Sequence, residues 1–266
     1  MGSVTGSEKR GSNPSMKPQV YVDPRPADFF TKYHDRVRAG RPDWVYRAVR
    51  IVLTPPIMVL YRFRAIGVEN VPAHGPVILA PNHFSFFDHF FIAVLLRREV
   101  HFMAKSQLFQ PPVVDFIINH GGVFPVRRGQ HDEEAFITAH TILGRGGVVL
   151  MYAEGGRSRT KELGKPKSGI GRLALEAGVP VVPVAIHGSE RMRETKRGAL
   201  PKVTVQFGEP IAVDRVEHPD REQSQAVAEE VFGHVRTMHE ALSAQGRRGV
   251  LARLRQERRH GAPVTG

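Results

Sequence analysis

Pro76-Val77-Ile78-Leu79-Ala80-Pro81-Asn82-His83-Phe84-Ser85-Phe86-Phe87-Asp88 is the stretch on which the fold turns. Its first six residues are an apolar run of strand length, and the Asn82-His83 pair that follows reads as a loop leaving that strand. Similar short runs recur downstream: VHFMA from Val100, GGVFPV from Gly121, GVVLMYA from Gly147, VPVVPVAI from Val179 and KVTVQFG from Lys202. Helix-like stretches, Asp132 to Leu143 and Ser168 to Ala177, lie between them. Strands alternating with helices predict an α/β domain over 67–215, with a mixed, largely parallel sheet flanked by helices.

Outside that domain the patterning changes. Residues 1–40 read as a flexible leader, because the opening MGSVTGSEKRGSNPSMKPQV lacks the apolar centre of a signal peptide. Residues 41–66 contain the run Ile51 to Tyr61, flanked by Arg47, Arg50, Arg62 and Arg64. It is shorter than the ~20 apolar residues that cross a bilayer, and Pro55-Pro56 predicts a break in any helix there. Arginines with Trp44, Tyr46 and Tyr61 suit a helical segment lying in the headgroup region, although core-packing helices would carry the same pattern. Residues 216–266 read as a C-terminal helix, periodic through Val227, Val231, Val235, Met238 and Leu242. A basic tail, GRRGVLARLRQERRH, follows; it suits an anionic lipid surface or a solvated, fraying end.

Composition narrows the function. Thirty-eight Lys and Arg against 26 Asp and Glu leave a formal charge of +12 over 266 residues, which calls for an anionic partner. Nucleic acid, an anionic bilayer and a phosphorylated small molecule all qualify. No zinc-finger spacing or RNP-like aromatic motif is present, so no specific nucleic acid is expected despite a pI near 10.4. The absence of cysteine excludes a disulfide framework, a thiolate metal site and a thiol nucleophile. His83, Asp88, His89 and His101 are near one another in sequence but lack H-E-x-x-H spacing, so no metal is expected.

Chemistry concentrates in four segments. In a continuous helix His83 and Asp88 would point to different faces. If His83 ends the strand loop and Ser85 caps a new helix, Asp88 folds back within reach of His83 Nδ1. The acid would then orient the imidazole and stabilise its protonated form. A plain Ser85-x-x-Asp88 capping box is the competing reading. Further on come Gly121-Gly122-Val123-Phe124-Pro125-Val126-Arg127, then Ala153-Glu154-Gly155-Gly156-Arg157-Ser158, then the proline-punctuated Val179 to Ala185. The first two of these carry an arginine suited to forking onto phosphate and glycines that permit close backbone approach, and the last is an apolar strand.

In this order the four segments resemble the glycerolipid acyltransferase family, typified by the 1-acylglycerol-3-phosphate acyltransferases. That family carries His-x4-Asp, Gly-x-x-Phe-x-x-Arg, Glu-Gly-x-Arg and Pro-containing apolar blocks. The likeness runs from about Val68 to Ala185 and extends to Ile211. It departs at Gly156, where threonine is commoner. It implies His83 as general base and Asp88 as its orienting acid. Arg127 and Arg157 would hold the acceptor phosphate with Lys105 as a third cation, and Glu154 and Gly155 would organise that site, Glu154 by keeping the arginines in place or by touching the acceptor glycerol. It also implies a fatty acyl donor, acyl-CoA or acyl-carrier protein, and a phosphorylated lysolipid acceptor. No bound cofactor is expected. The expected setting is the cytoplasmic face of the cell membrane, with the protein peripheral or monotopic. Without cysteine or a Gly-x-Ser-x-Gly elbow, direct transfer with no acyl-enzyme is the mechanism expected.

Overall fold

The computed structural model describes residues 23–40, 42–110, 112–127, 132–158, 160–194 and 200–259. The leader 1–22 and the last tail residues, 260–266, lie outside them. Seven strands form one sheet: β1 (Arg64–Ile66), β2 (Val77–Pro81), β3 (Val100–Lys105), β4 (Val123–Val126), β5 (Val148–Leu150), β6 (Val181–His187) and β7 (Thr204–Phe207). Their order is β1-β7-β6-β2-β5-β3-β4, and every pairing is parallel except β6 with β7. The mixed, largely parallel sheet matches the pattern of apolar runs. β1 was not legible as a strand: its three residues, Arg64 included, carry no usable alternation, and pairing with β7 holds them.

Central strands are buried on both faces, which explains their near-continuous apolar sequences. From β2, Val77 and Leu79 point into one core layer, and Ile78 and Ala80 into the other. The first layer is covered by α2 (Trp44–Leu60) and α3 (Asp88–Ala93). Helices α1 (Thr31–Ala39), α5 (Glu133–Gly144), α6 (Gly169–Ala177) and α7 (Arg221–Arg259) cover the second. A further helix, α4 (Pro112–His120), packs beside α2 near the end of the sheet that β4 forms.

Three expectations need correction. The leader does not extend to residue 40: Ala27–Phe30 forms a 3-10 turn leading into α1, and Phe30, Tyr33 and Val37, at helical spacing, are buried. Second, α2 runs unbroken through Pro55 and Pro56. The carbonyls deprived of donors belong to Ile51 and Val52, whose side chains are 71% and 69% exposed, so the loss falls on the outer side of the helix. Asp43 caps its start by accepting from Val45 N at 2.9 Å. Third, α7 belongs to the core, with Ala228, Val231, Phe232, Val235, Met238 and Leu242 all buried. The basic segment beyond continues as helix after a bend at Gly246 (φ 63°, ψ 170°). It does not fray: Val250 is fully buried, Arg247 donates to Arg62 O at 2.5 Å, and Arg258 pairs with Glu69.

The approach of α7 to α6 depends on Gly171, where an added Cβ would stand 1.9 Å from Ser224 O. Gly171→Ala should therefore destabilise the fold by roughly 1–3 kcal/mol or more, the cost of overpacking. By contrast, a Cβ added at Gly233 in α7 would meet nothing within 4 Å. Gly233→Ala should gain up to about 1 kcal/mol from helix propensity. Opposite shifts of thermal midpoint in the two variants are the expected result.

Candidate active site

The parallel strands β2, β3, β4 and β5 all end at one edge of the sheet, and each delivers a segment singled out from sequence. At the exit of β2 the Asn82 side chain donates to Ile186 O (3.0 Å) and accepts from Ile186 N (2.7 Å), which pins the end of β2 to β6. The chain then turns sharply. Asp88 Oδ2 accepts from Phe84 N at 2.7 Å and Ser85 N at 2.8 Å, and Ser85 Oγ accepts from Phe87 N. That same Oδ2 lies 3.0 Å from His83 Nδ1. Ser85 does not cap the helix, which starts at Asp88 without a side-chain cap; instead one Asp88 oxygen both closes the turn before α3 and meets the histidine.

Asp88 is fully buried and His83 nearly so. A carboxylate can only accept, so the Nδ1 of neutral His83 carries the proton and its Nε2 is the basic nitrogen. The imidazole stacks on Tyr152, with ring centroids 3.7 Å apart and planes 17° from parallel. Burial raises the Tyr152 phenol well above its ordinary value, so it stays protonated. Tyr152 was not singled out from sequence; it was hidden inside an apolar run.

The Glu154 block braces the backbone of His83 from both sides. Glu154 Oε1 accepts from His83 N at 2.8 Å, and Ser158 N donates to His83 O at 2.8 Å. The other Glu154 oxygen accepts from Gly164 N at 2.7 Å. Both oxygens go to main-chain donors, so Glu154 organises the site through the His83 loop. Gly155 holds the turn with φ +66°, its N–H donating to Tyr152 O at 2.9 Å. Gly164 is a participant that the sequence reading missed: a Cβ there would stand 2.5 Å from Glu154 Oε2. Nothing in the local pattern around Gly164 announces that contact.

His83 opens on an apolar cavity of about 400 Å³. Val49 and Leu53 of α2, Phe90 of α3 and Ile117 of α4 are among its walls, and Lys105 and Arg157 also line it. His89 lines it too; burial lowers its pKa to about 4, leaving it neutral. Arg127 is placed differently. Just beyond β4, at the same edge, its N–H donates to Asp132 Oδ2 at 2.6 Å, and its Nε lies 3.6 Å from that oxygen. It is not among the cavity-lining residues. Among the described residues no group of three or more His, Asp or Glu is arranged to hold a metal.

Burial raises the Glu154 pKa from 4.5 to about 7, against the opposing pull of its two hydrogen bonds. The folded state therefore binds the proton more tightly than the unfolded chain does. The associated stability is fully present below pH ~4.5 and is lost as pH rises to about 7. The stability of the wild type relative to Glu154→Gln should fall by roughly 1–3 kcal/mol across that window and level off above it. Thermal denaturation of both proteins in a pH series would measure this; a constant difference would remove the burial argument.

Comparison with known proteins places this geometry. Residues 62–187 match the Acyltransferase family. The chloroplastic 1-acyl-sn-glycerol-3-phosphate acyltransferase of Brassica napus is 29% identical over 142 residues, 52% of this chain and 41% of that protein. The 1-acyl-sn-glycerol-3-phosphate acyltransferase of Bacillus subtilis is 28% identical over 177 residues, 65% of this chain and 86% of that one. A glycerol-3-phosphate acyltransferase of Pseudomonas syringae is 31% identical, covering 60% of this chain and 24% of its own length. The chain thus spans about two fifths of the Brassica relative. In fold it is similar to the crystal structure of the 1-acyl-sn-glycerophosphate acyltransferase from Thermotoga maritima, with TM-score 0.54 and 23% identity over 81% of this chain and 89% of that one. The four sequence blocks all lie within the matched stretch, so residues 62–187 carry an Acyltransferase family domain.

Proposed function

We propose that this protein transfers a fatty acyl group from a thioester donor, acyl-CoA or acyl-carrier protein, to the hydroxyl of 1-acylglycerol 3-phosphate, giving phosphatidic acid. The observation that carries the reading is the His83–Asp88 pair at 3.0 Å, set at an apolar cavity that Lys105 and Arg157 also line. A fatty chain needs the apolar walls, and a phosphate needs the cations. Similarity to glycerol-3-phosphate acyltransferases as well as to 1-acylglycerol-3-phosphate acyltransferases keeps glycerol 3-phosphate as the second acceptor to test.

In this reading His83 Nε2 takes the proton from the acceptor hydroxyl as its oxygen attacks the thioester carbonyl carbon. Buried Asp88 stabilises the imidazolium that forms. The tetrahedral intermediate collapses, the C–S bond breaks, and the departing thiolate recovers the proton from His83. No covalent enzyme intermediate enters, in keeping with a chain that has no cysteine. Arg157 and Lys105 hold the acceptor phosphate, while Glu154 fixes the loop that aims the imidazole. Arg127 joins them by exchanging Asp132 for the phosphate.

The reaction takes place, in the same reading, at the cytoplasmic surface of a membrane. Among the described residues no helix is long and apolar enough to cross one. Support for a surface position comes from exposed apolar side chains on α2 and α4: Ile51, Val52 and Val59 at 71%, 69% and 72%, and Val113 at 70%.

His83→Ala should lower kcat by ~10² to 10⁴ with little change in acceptor KM. Asp88→Asn keeps an oxygen for the Phe84 and Ser85 N–H groups yet cannot stabilise an imidazolium, so it should lose turnover beyond any loss of stability. Near-normal turnover in His83→Ala would overturn the mechanism. Arg157→Lys should raise acceptor KM although charge is retained, because an ammonium lacks the bidentate fork; Arg127→Lys should raise it less. A panel of acceptors with one labelled acyl-CoA, read by product mass, would test the acceptor assignment.

A further inference from the structure

The opposite edge of the sheet carries a second concavity. Where β2, β3 and β5 begin, a cleft of about 630 Å³ lies between α2 and the loops that precede the strands. Five arginines line it, Arg47, Arg50, Arg97, Arg98 and Arg145, against one carboxylate, Glu99. Such a density of like charge is self-repelling unless an anion shares it. The five arginines have different duties. Arg98 donates to the carbonyls of Pro72, Gly75 and Gly146, and Arg145 to those of Val37 and Arg38, so both brace the walls. Arg50 donates to Leu96 O. Arg97 is exposed, and Arg47 is 74% exposed with a 3.3 Å contact to Glu99. The floor is glycine: Gly75 and Gly146 both take positive φ, and a Cβ on Gly75 would meet nothing within 4 Å.

This cleft is distinct from the His83 cavity, although Tyr46 and Arg50 of α2 line both: His83, Lys105 and Arg157 do not line it, and β2 alone, five residues long, sets its edge about 15 Å from the edge that carries His83. Its neighbours indicate the ligand. Ile51 lines the cleft and Val52 follows it on α2, both largely exposed, so a group seated here meets apolar surface on one side and guanidinium on the other. That is the chemistry of a phospholipid headgroup at the level of the acyl boundary.

We propose that the cleft between α2 and the β2–β3–β5 entry loops is a second, non-catalytic phosphate site that takes the headgroup of an anionic phospholipid and seats the enzyme on its membrane. It rests on the reading of α2 as a membrane-facing helix, and it adds a localised site to what net charge alone would supply as diffuse attraction. Bound there, a headgroup phosphate would be forked by Arg47 and Arg97, the two arginines not engaged with backbone carbonyls.

The test compares the wild type, Arg47→Gln/Arg97→Gln, and a charge-matched control, Arg255→Gln/Arg259→Gln in the tail. Each is sedimented with phosphatidylcholine vesicles, with and without added phosphatidate, and titrated with inorganic pyrophosphate. The expected result is a gain in wild-type binding on adding phosphatidate that the cleft variant loses by ~30-fold, or ~5-fold per arginine, while the tail control keeps most of it. Equal losses in both variants would mean diffuse surface attraction and overturn the site. Pyrophosphate binding lost only in the cleft variant, without vesicle binding by the wild type, would keep a phosphate cleft but overturn both the lipid assignment and the membrane reading of α2. Vesicle binding by the wild type that is indifferent to phosphatidate would leave that membrane reading standing and overturn the headgroup site. Circular dichroism of both variants establishes that neither loss is one of folding.

Discussion

Asp88 Oδ2 receives hydrogen bonds from two consecutive main-chain N–H groups and also meets the His83 ring nitrogen. Buried and saturated in this way, the oxygen converts a polar five-residue spacing into a closed turn. The turn starts α3, and α3 in turn supplies Phe91 and Ile92 to the core layer beneath α2. The orientation of the imidazole and the placement of a core helix therefore rest on the same atom. Removing a buried acceptor would leave several donors without partners, which costs far more than one ordinary hydrogen bond.

Around that atom the site is assembled from loops that the parallel sheet brings to one edge. β2 lies between β6 and β5, so its exit loop faces the Asn82 clamp on one side and the Glu154 loop on the other. Ligand sites outside the carboxyl ends of parallel strands are a general property of such sheets. Here it places His83 at the cavity that Lys105 and Arg157 also line, and leaves Arg127 one strand further out, paired with Asp132. The charge of the protein is likewise divided between the two edges. Lys105 and Arg157 at the His83 edge stand beside apolar walls, whereas Arg47, Arg97, Arg98 and Arg145 at the entry edge crowd into a polar cleft, and Arg50 lines both.

The sequence by itself determined the strands β2 to β7, the helices α5, α6 and most of α7, and the order of the four blocks. It did so because each rests on local patterning or on residues adjacent in the chain: the continuous apolar run from Val77 to Ala80, the helical spacing of Val231, Val235 and Met238, the short path from His83 to Asp88. Tertiary structure decided the rest. The Glu154 carboxylate reaches the His83 amide across 71 positions, Tyr152 lies flat on the imidazole, and Gly164 leaves room for the second Glu154 oxygen. The same holds for α2, which passes through two prolines because its deprived carbonyls lie on the exposed side, and for the basic tail, which docks through Val250 and Arg247. None of these follows from a local pattern, since each is a contact between segments whose proximity exists only once the strand order of the sheet has formed.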